Sequence, residues 1–333
     1  MHIALALLIT SSVSHAQSFR FERLAGGVYV GWGLDGRTPT TATNVGLVDL
    51  GNGQIVVFDA TQDKRAAAEV IRFAEHEMRG RVTYLVNSHA HRDHVGANGW
   101  FAPGVEIIGT TSTAREVAGA TPGDTAADRR AAQQDARHAS DLVAGGMRGD
   151  GDPRERTVMA RLSAAAARRE YPSFPLRAPT AIVDDRRTLR GSRRTVELRA
   201  FRGGHTEGDL VMVLPGERIA FMGDLMFIGI HVPLFLGDPD SAAAIQKEMI
   251  ALGVRRLVPG HGWKGTARDV AGVAAYRQAV DSIARDIGVA GAADTLAARH
   301  PVPARFRRLW LRDDFWGENL RDAVVRASKG RTR

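Results

Sequence analysis

The chain has 333 residues, of which 44% are hydrophobic and 25% are charged, a composition typical of a folded globular protein with a sizeable core. It contains no cysteine, which excludes disulfides, thiolate metal ligands and a cysteine nucleophile. The net charge of +8 raises the question of nucleic acid, but the basic residues are nearly all arginines scattered among acidic residues, without interleaved aromatic residues. We therefore expect a basic, solvated surface and no nucleic-acid partner.

The first 16 residues have the form of a secretory signal peptide. An apolar run at 3–9 precedes a serine-containing stretch that ends at the small residue Ala16. We expect residues 1–16 to be removed and the mature protein to be secreted into the periplasm; a buried N-terminal helix is the alternative. The run is too short to span a membrane, and no later stretch without charges is long enough to do so.

The first half of the chain predicts strands interrupted by one helix. β-Branched, aromatic and other apolar residues indicate strands at 27–30, 43–49, 54–59, 82–86 and 105–109. Turns are predicted at the glycine-rich segments 31–33 and 51–53, and residues 63–78 carry apolar side chains at helical spacing. Asp59 ends one strand, where it either caps the next helix or orients a metal-bound histidine.

Candidate metal ligands follow directly after the 82–86 strand. They are His89, His91, Asp93 and His94. Alternate side chains of an extended chain share a face, so the first three are expected to point the same way, with His94 arriving from the next turn. Imidazole nitrogens and carboxylate oxygens suit zinc, and so crowded a segment can serve two ions. A solvated polar loop is the alternative, but this density of ligands behind a strand favours a metal site.

The second half contains an insertion, a second run of strands and a helical tail. Alanine, arginine, aspartate and glycine dominate residues 113–179, which predicts a helical insertion. Strands follow at 181–183, 195–200, 210–213, 218–222 and 256–258. An amphipathic helix is predicted at 240–252, and the chain is mostly helical from Val270 onward. Three aromatic residues are expected to pack this tail against the body, namely Trp310, Phe315 and Trp316.

Three later residues repeat one local pattern, in which a strand ends, a glycine lets the chain turn, and a single polar side chain is presented. They are His205, Asp224 and His261. Each taken alone has a structural alternative, such as a capping aspartate or a hydrogen-bonded core histidine. Their order behind the first cluster favours a shared site. His231 follows Asp224 closely, and we expect it to have a loop role.

Together these motifs resemble the signature of the metallo-β-lactamase fold superfamily. The first segment matches the family pattern H-x-H-x-D-H, and the three later residues match its single ligands in the same order. The resemblance covers about 27–262 outside the insertion and implies an α/β fold, an αββα sandwich of two sheets flanked by helices. It implies a domain at 17–262 and a helical C-terminal extension at 263–333 packed on that domain.

The resemblance also implies two zinc ions per chain. It assigns His89, His91 and His205 to the first ion, Asp93, His94 and His261 to the second, and Asp224 to both as a bridge. Two such ions would share one water and deprotonate it, giving a hydroxide that attacks a carbonyl group. The catalytic role of Asp93 would be to orient that hydroxide, in addition to binding metal.

The expected substrate class also follows from the resemblance, which favours a small-molecule ester, thioester, lactone or amide. An aspartate at the bridging position, here Asp224, is typical of glyoxalase II-like thioesterases and lactonases, whereas β-lactamases usually carry cysteine or serine there. His91 stands where di-iron relatives carry glutamate, which favours zinc. Residues 221–227 are similar to secreted relatives of the sulfur-oxidation and quinoprotein-associated type. A β-lactamase, a non-catalytic metal-binding accessory protein and a phosphodiester hydrolase are the alternatives.

Overall fold

A computed structural model describes residues 18–33, 43–61, 64–119, 177–289, 291–309 and 312–331. The expected signal peptide at 1–16, most of the expected insertion and Trp310 lie outside the described residues. Among the described residues, none of the helices combines the length and hydrophobicity needed to cross a bilayer.

The described chain up to Ile182 forms a seven-stranded sheet whose strand order follows the chain order, so the strand predicted at 181–183 joins the first sheet. Its strands are β1 (Phe19–Ala25), β2 (Val28–Gly33), β3 (Val45–Gly51), β4 (Gln54–Phe58), β5 (Arg81–Val86), β6 (Glu106–Gly109) and β7 (Ala181–Ile182). Strands β1 to β4 pair antiparallel, and β4 to β7 pair parallel. In sheets of parallel strands such as β4 to β7, functional side chains usually lie at the carboxyl ends of the strands.

The second half forms a five-stranded sheet with the order β12-β11-β10-β9-β8. Its strands are β8 (Arg186–Arg190), β9 (Thr195–Phe201), β10 (Asp209–Leu214), β11 (Ile219–Ile228) and β12 (Arg256–Gly262). The sheets pack face to face through a buried cluster that includes Trp32 and Phe58 from the first sheet and Leu198 and Phe221 from the second. The rings of Phe58 and Phe221 meet across this interface with centroids 5.9 Å apart.

Helices cover the outer face of each sheet. The helices outside the tail are α1 (Lys64–Arg72), α2 (Arg92–Val95), α3 (Thr111–Gly119) and α4 (Pro239–Ala251). Helix α1 continues as a π-helical turn at Phe73–Glu77 and buries Ala67 and Val70 against the first sheet, while α4 buries Ile245 and Met249 against the second. The layers therefore run helix, sheet, sheet, helix, and the expected αββα sandwich is confirmed.

The prediction of a turn at 31–33 is wrong, because these residues are the end of β2. Trp32 is buried between the sheets, and Gly33 pairs with Phe19 of β1. Strands β1 and β8 are further elements that the pattern did not indicate. Both are edge strands of the described sheets and carry several charged residues, which weakens the apolar alternation that reveals a strand.

The C-terminal helices pack on one another and on the loop at 231–236. They are α5 (Ala267–Ile287), α6 (Ala293–Arg299) and α7 (Arg312–Arg331). Trp316 is buried in this cluster, as expected, beside Tyr276 and Leu234, and the ring of Phe315 meets that of Phe235. His231 is fully buried, with Nδ1 2.8 Å from the Tyr276 hydroxyl, so it belongs to the tail interface.

Asn319 joins α7 to the 231–236 loop. Its Oδ1 accepts a hydrogen bond from Leu234 N at 2.7 Å, and its Nδ2 donates to Val232 O at 2.8 Å and to the Tyr276 hydroxyl at 2.9 Å. The side chain is fully buried, so these groups have little access to water. The amide therefore fixes the loop to the C-terminal helices.

We expect Asn319→Leu to lower the free energy of unfolding by about 3 kcal/mol, because three buried groups each lose a partner at about 1 kcal/mol or more. Urea denaturation measures this loss. The matched control is Arg321→Leu on the same helix, where the exposed ion pair with Glu318 contributes less than about 1 kcal/mol. Equal stability losses in both variants would contradict the assigned role.

Candidate metal centre

All seven side chains singled out in the sequence lie together. They form two groups, within each of which the candidate ligand atoms lie within 4.8 Å of one another. The first group consists of His89, His91, His205 and Asp224. The second group consists of Asp93, His94 and His261. The fold therefore brings together residues that follow β5 and β9 and residues carried by β11 and β12.

Asp224 lies between the two groups and faces each with a different oxygen atom. Its Oδ2 is 3.4 Å from Nε2 of His205 and 3.8 Å from Nε2 of His89. Its Oδ1 is 3.3 Å from Nε2 of His94 and 3.4 Å from Nε2 of His261. This is the arrangement required of a carboxylate shared by two adjacent cations.

Several polar atoms of the site are buried without a hydrogen-bond partner among the described residues. They are Nε2 of His89, Nε2 of His94 and Oδ1 of Asp224. In the first group, Nε2 of His205 and Nδ1 of His91 face each other at 3.2 Å. Leaving such buried groups unsatisfied costs about 1–3 kcal/mol each, and a divalent cation would satisfy them together. Nitrogen and oxygen donors without sulfur fit zinc.

The carboxylates and His205 are in the state that binds a cation. For His261, by contrast, burial works to lower the pKa, but Asp224 and Asp93 raise it to about 10, so a cation would displace its proton. Burial works to raise the pKa of Asp224, but His261 and His94 hold it well below its usual value. Asp93 is affected in the same way, since His94 and His261 keep its pKa low against the effect of burial. Burial lowers the pKa of His205 to about 4, so that imidazole is neutral at pH 7 and has a free lone pair to offer. Both carboxylates are ionised at neutral pH, the form that binds metal.

The structure supports the second of the two roles left open for Asp59, that of orienting a candidate ligand. Its Oδ2 lies 2.8 Å from Nδ1 of His94, which directs the opposite nitrogen of that ring into the site. Ser88 fixes the carboxylate, with its N–H donating to Oδ1 at 2.7 Å and its hydroxyl to Oδ2 at 2.9 Å. Helix α1 begins only at Lys64. Asp59 and His94 thus form a carboxylate–imidazole pair of the kind that would orient a histidine ligand toward zinc.

Asp93 does not share a face with His89 and His91, contrary to the expectation from an extended chain. Strand β5 ends at Val86, the backbone bends at 88–90, and helix α2 begins at Arg92, which turns Asp93 toward the second group. Its Oδ2 lies 3.2 Å from Nε2 of His261 and accepts a hydrogen bond from Thr43 Oγ1 at 2.8 Å. The helical turn thereby lets one short segment supply both groups.

Asp224 lies within β11, whereas the sequence pattern placed it just beyond a strand ending at residue 222. The pairing of β11 with β12 shifts register on both sides of Gly223. Gly223 has φ +54°, and a Cβ atom there would lie 2.6 Å from Cβ of Ser88. A Cβ atom on Gly260 would overlap Oδ1 of Asp224. Both glycines therefore allow backbone to approach the site more closely than any other residue would.

Two residues that support the site were missed from the sequence. Asn44 donates from Nδ2 to the carbonyls of Pro259 and Gly262 at 3.0 and 2.8 Å, which holds the segment carrying His261. Asp209 accepts from His205 N at 2.7 Å and closes the loop that carries this histidine. The spacing of Asp209, four residues after His205, is a local signal that could have revealed it. Asn44 has no such signal, because the carbonyls of Pro259 and Gly262 that it holds are more than 200 residues away.

We expect Asp59→Asn to weaken zinc binding by about 10–100-fold. The neutral amide lacks the negative charge that makes the His94 ring a stronger ligand, and it holds the orientation of that ring less firmly. Competition with a chromophoric chelator measures the affinity. Asp185→Asn, at an exposed position, is the matched control and should bind zinc as the unmodified chain does. Unchanged affinity in Asp59→Asn would contradict the positioning role.

The comparisons with known proteins agree with this fold. The model of the metallo-beta-lactamase superfamily matches residues 38–261, so the chain belongs to that superfamily and the resemblance seen in the sequence is confirmed. A search of curated protein sequences finds no match. Family membership thus rests on the family model, the fold and the arrangement of the site.

Solved structures with a similar fold include two metallo-β-lactamases and a sulfatase. FIM-1 from Pseudomonas aeruginosa in its mono-zinc form is 14% identical, with a TM-score of 0.51, covering 78% of this chain and 96% of that one. The metallo-β-lactamase from Pontibacter korlensis is 16% identical, with a TM-score of 0.52, covering 78% and 99%. A double mutant of the sec-alkyl sulfatase PisA1 is 18% identical, with a TM-score of 0.61, covering 93% of this chain and 50% of that one. At these identities the likeness is one of fold.

Proposed function

We propose that this protein is a zinc hydrolase that holds two zinc ions and cleaves a small-molecule ester, thioester, lactone or amide. The carrying observation is Asp224, whose two oxygen atoms face different groups of histidines at 3.3–3.8 Å. The family resemblance assigns the candidate ligands to two ions, and the two groups of side chains in the structure match that assignment. Asp224 would serve both ions. Bound zinc supplies Lewis-acid charge and makes water nucleophilic near neutral pH.

Asp93 is the residue that we propose to orient the attacking water. About a third of its side chain is exposed, with a relative accessibility of 36%, whereas Asp224 and His94 are buried. His91 and Asp93 thus form the side of the site that a substrate reaches from solvent. The Thr43 hydroxyl holds one carboxylate oxygen of Asp93 by donating to it, which leaves the ionised group to orient a water and accept its proton.

The test pairs elemental analysis with a panel of acyl substrates. Purified protein should contain about two zinc ions per chain. His91→Ala and Asp93→Ala should abolish turnover of any substrate found, whereas His76→Ala, at an exposed helical position, should leave it unchanged. Full activity in metal-free protein would overturn the proposal. We also propose action in the periplasm, because residues 1–16 have the form of a secretory signal.

β-Lactam hydrolysis is the second candidate function, favoured by the likeness in fold to FIM-1 and the Pontibacter korlensis enzyme. The aspartate at position 224 opposes it, since β-lactamases usually carry cysteine or serine there. Nitrocefin in the panel separates the two, because its zinc-dependent hydrolysis would favour a β-lactamase. A sulfate ester belongs in the same panel, since PisA1 is a sulfatase whose fold covers 93% of this chain.

A further inference from the structure

An apolar cavity of about 40 Å³, partly open to solvent, adjoins the metal centre. His205, Asp224 and Phe227 line it on the side of the site. The remaining walls come from the 232–236 loop and from helices α4 and α5, and they are mainly aliphatic. The cavity is therefore shared between the metal-binding body and the C-terminal helices.

The polar groups in the wall are already engaged with other parts of the chain. Nε2 of Gln246 donates to Leu225 O at 2.6 Å. Arg277 donates to Pro239 O at 3.0 Å and forms ion pairs with Asp240 and with Asp281, the latter at 3.4 Å. A charged or strongly polar ligand group would have to displace these contacts. The cavity therefore suits an uncharged, apolar group.

Phe227 connects the cavity to the candidate ligands. Its ring stacks on His261 with centroids 5.5 Å apart and an interplanar angle of 6°, and lies 5.8 Å from the ring of His205. One face of the metal centre is thus lined by an aromatic surface that continues into the aliphatic cavity. A molecule with a reactive group at the metals would place an attached hydrocarbon chain along this surface.

We infer that this cavity binds the unbranched aliphatic chain of an acyl substrate and selects for chain length. The inference rests on the proposed function, because that function places the carbonyl group at the metal centre. Helices α4 and α5 contribute Ala243 and Ala274 to the wall, and these small side chains leave the space that the chain fills. The C-terminal helices thereby take part in substrate selection.

Binding of n-alkanoates to the zinc-loaded full chain tests this inference without requiring turnover. Isothermal titration with acetate, butanoate and hexanoate should give affinities that rise about fourfold for each added methylene, as apolar surface enters the cavity. Ala243→Phe and Ala274→Trp fill the cavity from two different helices and should abolish this dependence on length. The matched controls are Ala244→Phe on α4 and Ala271→Trp on α5, whose exposed positions should leave it unchanged.

Zinc content and circular dichroism are measured on every variant, so that a misfolded protein is recognised. If one of the two cavity-filling variants misfolds, the inference is tested on the other. A chain that binds no zinc would refute the proposed function. A zinc-loaded chain that binds hexanoate no more tightly than acetate, or binds neither, would refute the cavity inference alone. Retention of the wild-type length dependence in both filled variants would refute it as well.

Discussion

Asp224→Asn should reduce the zinc content from about two ions per chain to one or fewer and lower any hydrolytic activity by more than about a hundredfold. The carboxylate offers one oxygen to each group of histidines, and the amide removes both the negative charge and one of the two ligand atoms. Loss of a partner that merely orients a ligand costs about 10–100-fold, so loss of the shared ligand should cost more. Elemental analysis and turnover of the best panel substrate measure the two effects.

The matched control for this variant is Asp286→Asn, an exposed aspartate on α5 that should leave both measurements unchanged. Two zinc ions bound to Asp224→Asn with wild-type affinity would show that this carboxylate does not hold the metals. That outcome would remove the observation on which the proposed function depends.

Removal of zinc by a chelator should destabilise the protein by about 4 kcal/mol relative to a sample with free zinc at about a thousand times its dissociation constant. For a chain of this size the melting temperature should fall by roughly 6 °C. Without a cation, the buried Nε2 atoms of His89 and His94 and Oδ1 of Asp224 lack hydrogen-bond partners among the described residues. Differential scanning calorimetry with and without chelator measures the shift.

Added zinc should restore the melting temperature, whereas magnesium, which prefers oxygen ligands and keeps its waters, should not. The chelator should have a smaller effect on Asp224→Asn, which binds fewer ions and provides the matched control. A melting temperature that does not respond to chelation would argue against a metal centre in this cage. A large response without metal-dependent turnover on any substrate would instead favour the metal-binding accessory protein.

The candidate residues could be found in the sequence because each carries a local signal. The first four are crowded behind an apolar strand, and His205, Asp224 and His261 each follow or adjoin a glycine at or near the end of a strand. The αββα layering came from the family resemblance, since periodicity alone indicated only alternating strands and helices in two halves.

The finer geometry depends on contacts between distant parts of the chain and was not predictable from local patterns. The turn at Arg92 is held in part by a hydrogen bond from Ala60 N to His94 O, which no local pattern reports. The irregular pairing of β11 beside Gly223 is shaped by Ser88, and Asn44 acts on β12 across the sandwich. Local sequence thus indicated which side chains carry chemistry, and tertiary contacts determine how they face one another.

The close approach at Gly260 has a consequence for how this protein can vary. Any codon change that adds a side chain there displaces the carboxylate of Asp224, although residue 260 has no functional group of its own. Under the proposed function, mutational drift at this position would therefore inactivate the protein while leaving every candidate ligand codon intact. Genetic screens that follow only the histidine and aspartate codons would score such alleles as functional and misclassify them.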